Sequence, residues 1–206
     1  MSLIEDLTAD RLLAIIRGTD AEASIQTAIA LADEGIRSLE ISLSSADALT
    51  VLSEVSAALG DRVRLGAGTV LTPADVDAAL DHGATYIVTP AIASSIPTAV
   101  DRGVPVLCGA LTPTEVLAAL DAGADAVKLF PVSSMGPRYV KDLRAPFPST
   151  PFIPVGGVGA EEAATFLADG AVAVGVASPL LGDAANGGDL DALRERARRF
   201  LSAVQR

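Results

Sequence analysis

The chain has 206 residues, 15 of them basic and 26 acidic, for a formal net charge of −11; half are hydrophobic and 20% are charged. That length supports one sizeable core, and that composition excludes a disordered chain. The acidic balance excludes general nucleic-acid binding, which needs basic surface against phosphate, and no apolar run approaches the roughly 18 residues that span a bilayer.

In chain order, Met1-Ser2-Leu3-Ile4-Glu5-Asp6 carries acidic residues where a signal peptide needs basic ones, so a cytoplasmic protein is expected, with no membrane partner. Short apolar runs then alternate with helical patterns. Strands are predicted at 12–17, 36–43, 62–67, 85–89, 104–108, 125–130, 151–156 and 171–176. Helices are predicted at 20–34, 46–59, 73–82, 93–102, 113–122, 137–144, 160–168 and 188–204. Thr72-Pro73 and Thr112-Pro113 each place an N-cap before a first-turn proline. Gly35, Gly83, Gly103, Gly123 and Gly170 each fall just past a helix, where the chain needs a left-handed residue. His82, the sole histidine, sits in a last helical turn and reads as a capping residue.

Eight strands alternating with eight helices over short connections indicate a parallel sheet with crossover helices. The count of eight, without a central Gly-x-Gly-x-x-Gly, favours a closed (β/α)8 barrel of the α/β class over a doubly wound sheet. Residues 1–206 are read as a single domain.

Chemistry in such a barrel gathers at the C-terminal ends of the strands. Only two lysines occur, and Lys128 lies inside the apolar run from Asp125 to Pro131. A strand lysine has to be desolvated, and an amine stripped of its hydration is the form that attacks a carbonyl carbon. Parity points Lys128 inward, because Val127 and Leu129 take the helix-covered face. The same argument turns Ser38, Glu40 and Ser42 inward, opposite Leu39, Ile41 and Leu43. Two readings follow: a structural ion pair filling the barrel, or a nucleophilic lysine with a proton-shuttling carboxylate. Arg17, ending the first strand, suits the acid end of a keto acid. Gly156-Gly157 after the seventh strand and Ser178 after the eighth stand where barrels of this kind bind phosphate, although a glycine pair also serves as a plain tight turn. Cys108 is alone, so neither a disulfide nor a cysteine-based zinc site is expected, and no metal or cofactor is called for.

These strings together resemble a known family. Ile16-Arg17-Gly18, Leu39-Glu40-Ile41, Gly66-Ala67-Gly68-Thr69-Val70, Val88-Thr89-Pro90, Val127-Lys128-Leu129-Phe130-Pro131 and Val155-Gly156-Gly157-Val158 look like the motifs of the 2-keto-3-deoxy-6-phosphogluconate / 4-hydroxy-2-oxoglutarate aldolases. The resemblance runs from Leu12 to about Leu201. It implies a class I enzyme that cleaves keto acids to pyruvate and an aldehyde, with Lys128 as Schiff-base lysine and Glu40 as general acid/base. It also implies that Thr69, Pro90 and Arg17 line the pyruvyl end, that the substrate is a small keto acid, and that the assembly is a homotrimer. Ser44 stands where phosphogluconate-type members carry Arg, and Val155 where they carry Thr. Both substitutions, with the run Phe130 to Lys141, resemble the 2-keto-3-deoxy-6-phosphogalactonate branch, which becomes the first expectation. The phosphogluconate-type and 4-hydroxy-2-oxoglutarate activities are the alternatives. A phosphate-binding barrel isomerase or synthase, or a non-catalytic sugar-phosphate binder, would have no need of Lys128.

Overall fold

The computed structural model describes residues 2–205; Met1 and Arg206 lie outside them. The elements run α1 (Leu3–Asp10), β1 (Leu12–Ile16), α2 (Ala21–Asp33), β2 (Ser38–Ser42), α3 (Ala48–Leu59), β3 (Arg64–Gly68) and α4 (Pro73–Asp81). They continue β4 (Tyr86–Val88), α5 (Ser95–Asp101), β5 (Val106–Ala110), α6 (Pro113–Asp121), β6 (Ala126–Leu129) and α7 (Arg138–Arg144). The chain ends β7 (Phe152–Pro154), α8 (Ala160–Ala168), β8 (Val174–Val176), α9 (Ser178–Leu181) and α10 (Leu190–Val204).

All neighbouring strands pair in parallel, in the order β7-β6-β5-β4-β3-β2-β1-β8. A bridge from Val155 to Gly175, and the Val172 N–H donated to the Phe152 carbonyl at 3.0 Å, close β7 onto β8. The result is the (β/α)8 barrel that the alternation predicts.

Strand parity divides the buried residues as expected. Leu39, Ile41, Ala67, Ile87, Val127 and Leu129 pack outward under the helices. Leu13, Ile15, Tyr86, Val88, Leu107 and Ile153 form a separate inner cluster. Thr72 and Thr112 cap α4 and α6, each in a reciprocal box with Asp75 or Glu115. The five predicted helix-terminal glycines all adopt left-handed φ. His82 caps α4, its Nδ1 2.7 Å from the Ala78 carbonyl oxygen.

The main departure is α1, where the sequence reading placed no element before residue 12. Ser2 and Glu5 form a reciprocal capping box that starts this helix. Its Leu7 is fully buried among the inner residues of the barrel, so α1 plugs the N-terminal end. The strands are also shorter than the apolar runs suggest, β8 covering Val174–Val176 instead of 171–176. At β8 the apolar run begins before the strand because Ala171 and Ala173 are buried in the preceding turn. Among the described residues, no helix is long and apolar enough to cross a membrane.

Candidate active site

Lys128 projects from β6 into the lumen and is 6% exposed, while Glu40 on β2 is fully buried. Lys128 Nζ lies 3.4 Å from Glu40 Oε1. The inward glycines make this approach possible. A Cβ on Gly68 would collide with the Glu40 carboxylate, and one on Gly109, the β5 partner of Lys128, would strike the backbone of Pro90. Glu40 Oε2 has no hydrogen-bond partner among the described residues. An orphaned buried acceptor costs about 1–3 kcal/mol, and more when charged. A buried ion pair contributes to stability only when its remaining lone pairs are satisfied, so this pair leaves one carboxylate oxygen available to a further partner. The Phe130 ring lies beside the amine, its centroid 5.8 Å from Nζ. Lys141, by contrast, is exposed on α7.

A second polar group surrounds the ends of β1, β2 and β3. Arg17 donates from Nε to Ser42 Oγ at 3.3 Å, and Ser42 Oγ lies 2.8 Å from Ser44 Oγ and 3.0 Å from Thr69 Oγ1. Thr69 holds a left-handed φ of 61°. Pro90, half-buried, lies two residues past β4 on the same mouth. The structure thus joins Arg17, Thr69 and Ser44 through Ser42, a residue that parity points inward but that the sequence reading left without a role.

Tyr86 was likewise missed. Its ring fills the space that a side chain at Gly66 would take, and its hydroxyl donates to the Leu39 carbonyl at 2.7 Å, one residue before Glu40. Complete burial pushes its phenol well above the ordinary range, and the charges of Glu40 and Asp10 add to that. It therefore stays a proton donor to the β2 backbone. Nothing in the sequence marks this tyrosine except its inward parity.

Gly156 and Gly157 follow β7 with φ of 109° and 75°, and both face the Pro131–Ser133 segment after β6. Ser178 opens α9 after β8 and is exposed. Val155 is 5% exposed and leans across Gly175. Lys128 and Glu40 therefore lie within the lumen, and the other predicted site residues stand above them at the C-terminal ends of the strands, in separate groups. Arg17, Ser44 and Thr69 stand over β1–β3; Gly156, Gly157, Val155 and Ser178 stand over β7 and β8. The N-terminus of α8 is already occupied, because Gly159 N–H is donated to Glu162 at 3.0 Å. Among the described residues, no group of three or more His, Cys, Asp or Glu is arranged to hold a metal ion.

A parallel barrel with a buried lysine beside a buried carboxylate in its lumen is an arrangement suited to carbonyl chemistry. The profile of the family described as "Aldolase: KDPG and KHG aldolase" matches residues 3–195. The chain is 38% identical over 171 residues to the 2-dehydro-3-deoxy-6-phosphogalactonate aldolase of Escherichia coli K12, covering 82% of this chain and 83% of that one. It is 39% identical over 161 residues to the 2-dehydro-3-deoxy-phosphogluconate aldolase of Pseudomonas aeruginosa, covering 77% and 72%. A solved structure described as native KDPGal superposes with a TM-score of 0.87 at 36% identity, over 94% of each chain. The chain belongs to the KDPG and KHG aldolase family. It is an aldolase, and so a carbon–carbon lyase.

Proposed function

We propose that this enzyme reversibly cleaves a 2-keto-3-deoxy-6-phospho sugar acid of the galactonate type to pyruvate and glyceraldehyde 3-phosphate. The observation that carries this reading is the buried Lys128 amine 3.4 Å from a Glu40 carboxylate with one free oxygen. The Lys128 amine attacks the C2 ketone to give a carbinolamine. Glu40 supplies the proton that lets the oxygen leave as water, and an iminium remains. Glu40 then takes the proton of the C4 hydroxyl. The C3–C4 bond breaks, its electron pair moves into the iminium to give an enamine, and the C4 fragment leaves as an aldehyde. Protonation of the enamine at C3 and hydrolysis release pyruvate and the free amine. No cofactor enters these steps.

Arg17, Thr69 and Pro90 form the pyruvyl end in this reading, and Gly156, Gly157 and Ser178 the phosphate end. The dipole of α9 adds little, because that helix has four residues and its second, Pro179, lacks an N–H. Support for phosphate comes instead from the two left-handed glycines, whose backbone is open to close approach. Val155 offers no hydrogen bond to a C4 hydroxyl, and Ser44 places a small polar group where a cation would favour the gluco substrate. The Pseudomonas relative keeps the phosphogluconate epimer as the second reading. We take residues 1–206 as one aldolase unit, cytoplasmic and trimeric.

Borohydride reduction with pyruvate tests the reading. Mass spectrometry should find the adduct on Lys128 and not on Lys141. Turnover without an adduct would return the isomerase or synthase reading, and binding without turnover the non-catalytic one. Comparing kcat/KM for the two C4 epimers, with and without phosphate, decides the substrate. A gluco preference would move it to the phosphogluconate type, and equal rates without phosphate would remove the phosphate end. Sedimentation tests the trimer directly.

A further inference from the structure

Ser42 is fully buried, shares the lumen face of β2 with Glu40, and touches three polar groups from three strand ends. A serine hydroxyl has one proton to give and two lone pairs to offer. Arg17 can only donate, so one lone pair belongs to Arg17 Nε. Of Ser44 and Thr69, one therefore donates to Ser42 and the other accepts from it. The three contacts use the whole capacity of the hydroxyl.

We propose that Ser42 is a positioning residue that sets Arg17 and Thr69 for the carboxylate end of the keto acid; this rests on the aldolase reading above. Ser42 is the only hydrogen-bonding partner of the Arg17 side chain among the described residues. By taking Nε, it fixes the plane of the guanidinium and leaves the two terminal nitrogens as a fork of the right geometry for a carboxylate. Thr69 is β-branched and holds a left-handed φ of 61°, a conformation that its surroundings must enforce. Its hydroxyl is tied to Ser42 at 3.0 Å. Ser42 thus aligns one group before the substrate arrives and restrains another, without touching the reacting atoms.

The test follows pyruvate-dependent inactivation by borohydride in wild type, Ser42→Ala, Arg17→Gln and the double variant. For Ser42→Ala, the half-saturating pyruvate concentration should rise about ten-fold while the limiting inactivation rate stays within about twofold, since binding is lost and not chemistry. In the Arg17→Gln background the same change should shift half-saturation by no more than about threefold, because the part exerted through Arg17 is gone and only the part exerted through Thr69 remains. An equal shift in both backgrounds overturns the proposal, as does a lower limiting rate with unchanged half-saturation. A lower melting temperature with unchanged half-saturation would reduce Ser42 to a packing residue and also overturns it. Should Ser42→Ala fail to fold, Ser42→Cys is read by the same criteria, since it keeps the volume and bonds only weakly. A wild-type protein that forms no pyruvate adduct overturns the aldolase reading itself, which the ratio between variants cannot mimic.

Discussion

The two ends of the barrel handle buried polar groups in opposite ways. At the N-terminal end, α1 seats Leu7 in the inner cluster, Asp6 pairs with Arg64 Nε at 2.7 Å, and Asp10 accepts from Ser38 at 2.8 Å. Asp6 is buried beneath the half-exposed Arg64 that pairs with it, and Asp10 sits partly buried at the rim, around an apolar plug. At the C-terminal end the lumen holds a charged pair with one carboxylate oxygen unpaired, a strained threonine and a run of glycines. One end is arranged to close the barrel, the other to stay open to a molecule that completes its hydrogen bonds.

That contrast is open to experiment, starting from the largest effect. Lys128→Arg keeps a charge in the lumen but cannot form an iminium. Turnover should fall on the order of 10⁴-fold or more and the borohydride adduct should vanish; full activity would end the division of labour between the two ends. Glu40→Gln should cut kcat by roughly 10²–10⁴ with the fold intact. If it destabilises the protein and spares kcat, the mouth is as structural as the base. Leu7→Ala should give the reverse pattern, costing about 2–5 kcal/mol in urea unfolding while kcat holds within about twofold. A parallel loss of activity would show that the plug governs the mouth.

The smallest effect belongs to Asp10. Partial burial holds its carboxyl above the ordinary range, offset in part by the Ser38 hydroxyl. The native state therefore binds the Asp10 proton more tightly than the unfolded chain does. Its contribution to stability is present below the ordinary carboxylate value and is lost as pH rises through the raised native value. Asp10→Asn should thus melt slightly higher than wild type at neutral pH, the gap closing as the solution is acidified. A variant that melts lower at neutral pH would show that the ionised form is stabilising.

Much of this was legible in the sequence, for physical reasons that differ by residue. Lys128 and Glu40 stood out because charge inside an apolar strand is costly, and the period of two fixed which way they point. The helix ends were legible because Thr-Pro and Gly each satisfy a specific backbone need. The plug α1 was not read, although Ser2 and Glu5 carried its capping signal, because the segment was read for targeting instead of for helix caps. Ser42 and Tyr86 escaped because a hydroxyl gains its role from partners about 25 to 47 positions away, at Arg17, Thr69 and Leu39, which become neighbours only when parallel strands align. At the proposed phosphate end, the Gly-Gly turn is where it was expected, and the short helix after β8 is a single turn.

The missing side chains at positions 68 and 109 bear on how this enzyme could be remade. Their neighbours Glu40 and Pro90 already occupy the volume that a methyl group would need. An engineer seeking a new substrate gains nothing by diversifying those two sites, since even alanine would displace the machinery itself. Useful variation lies at the rim, where Ser44 is exposed and Val155 borders the opening. Under the proposed reading, a library confined to those positions samples new acceptors without altering Lys128 or Glu40, although changes at Ser44 also reach its partner Ser42.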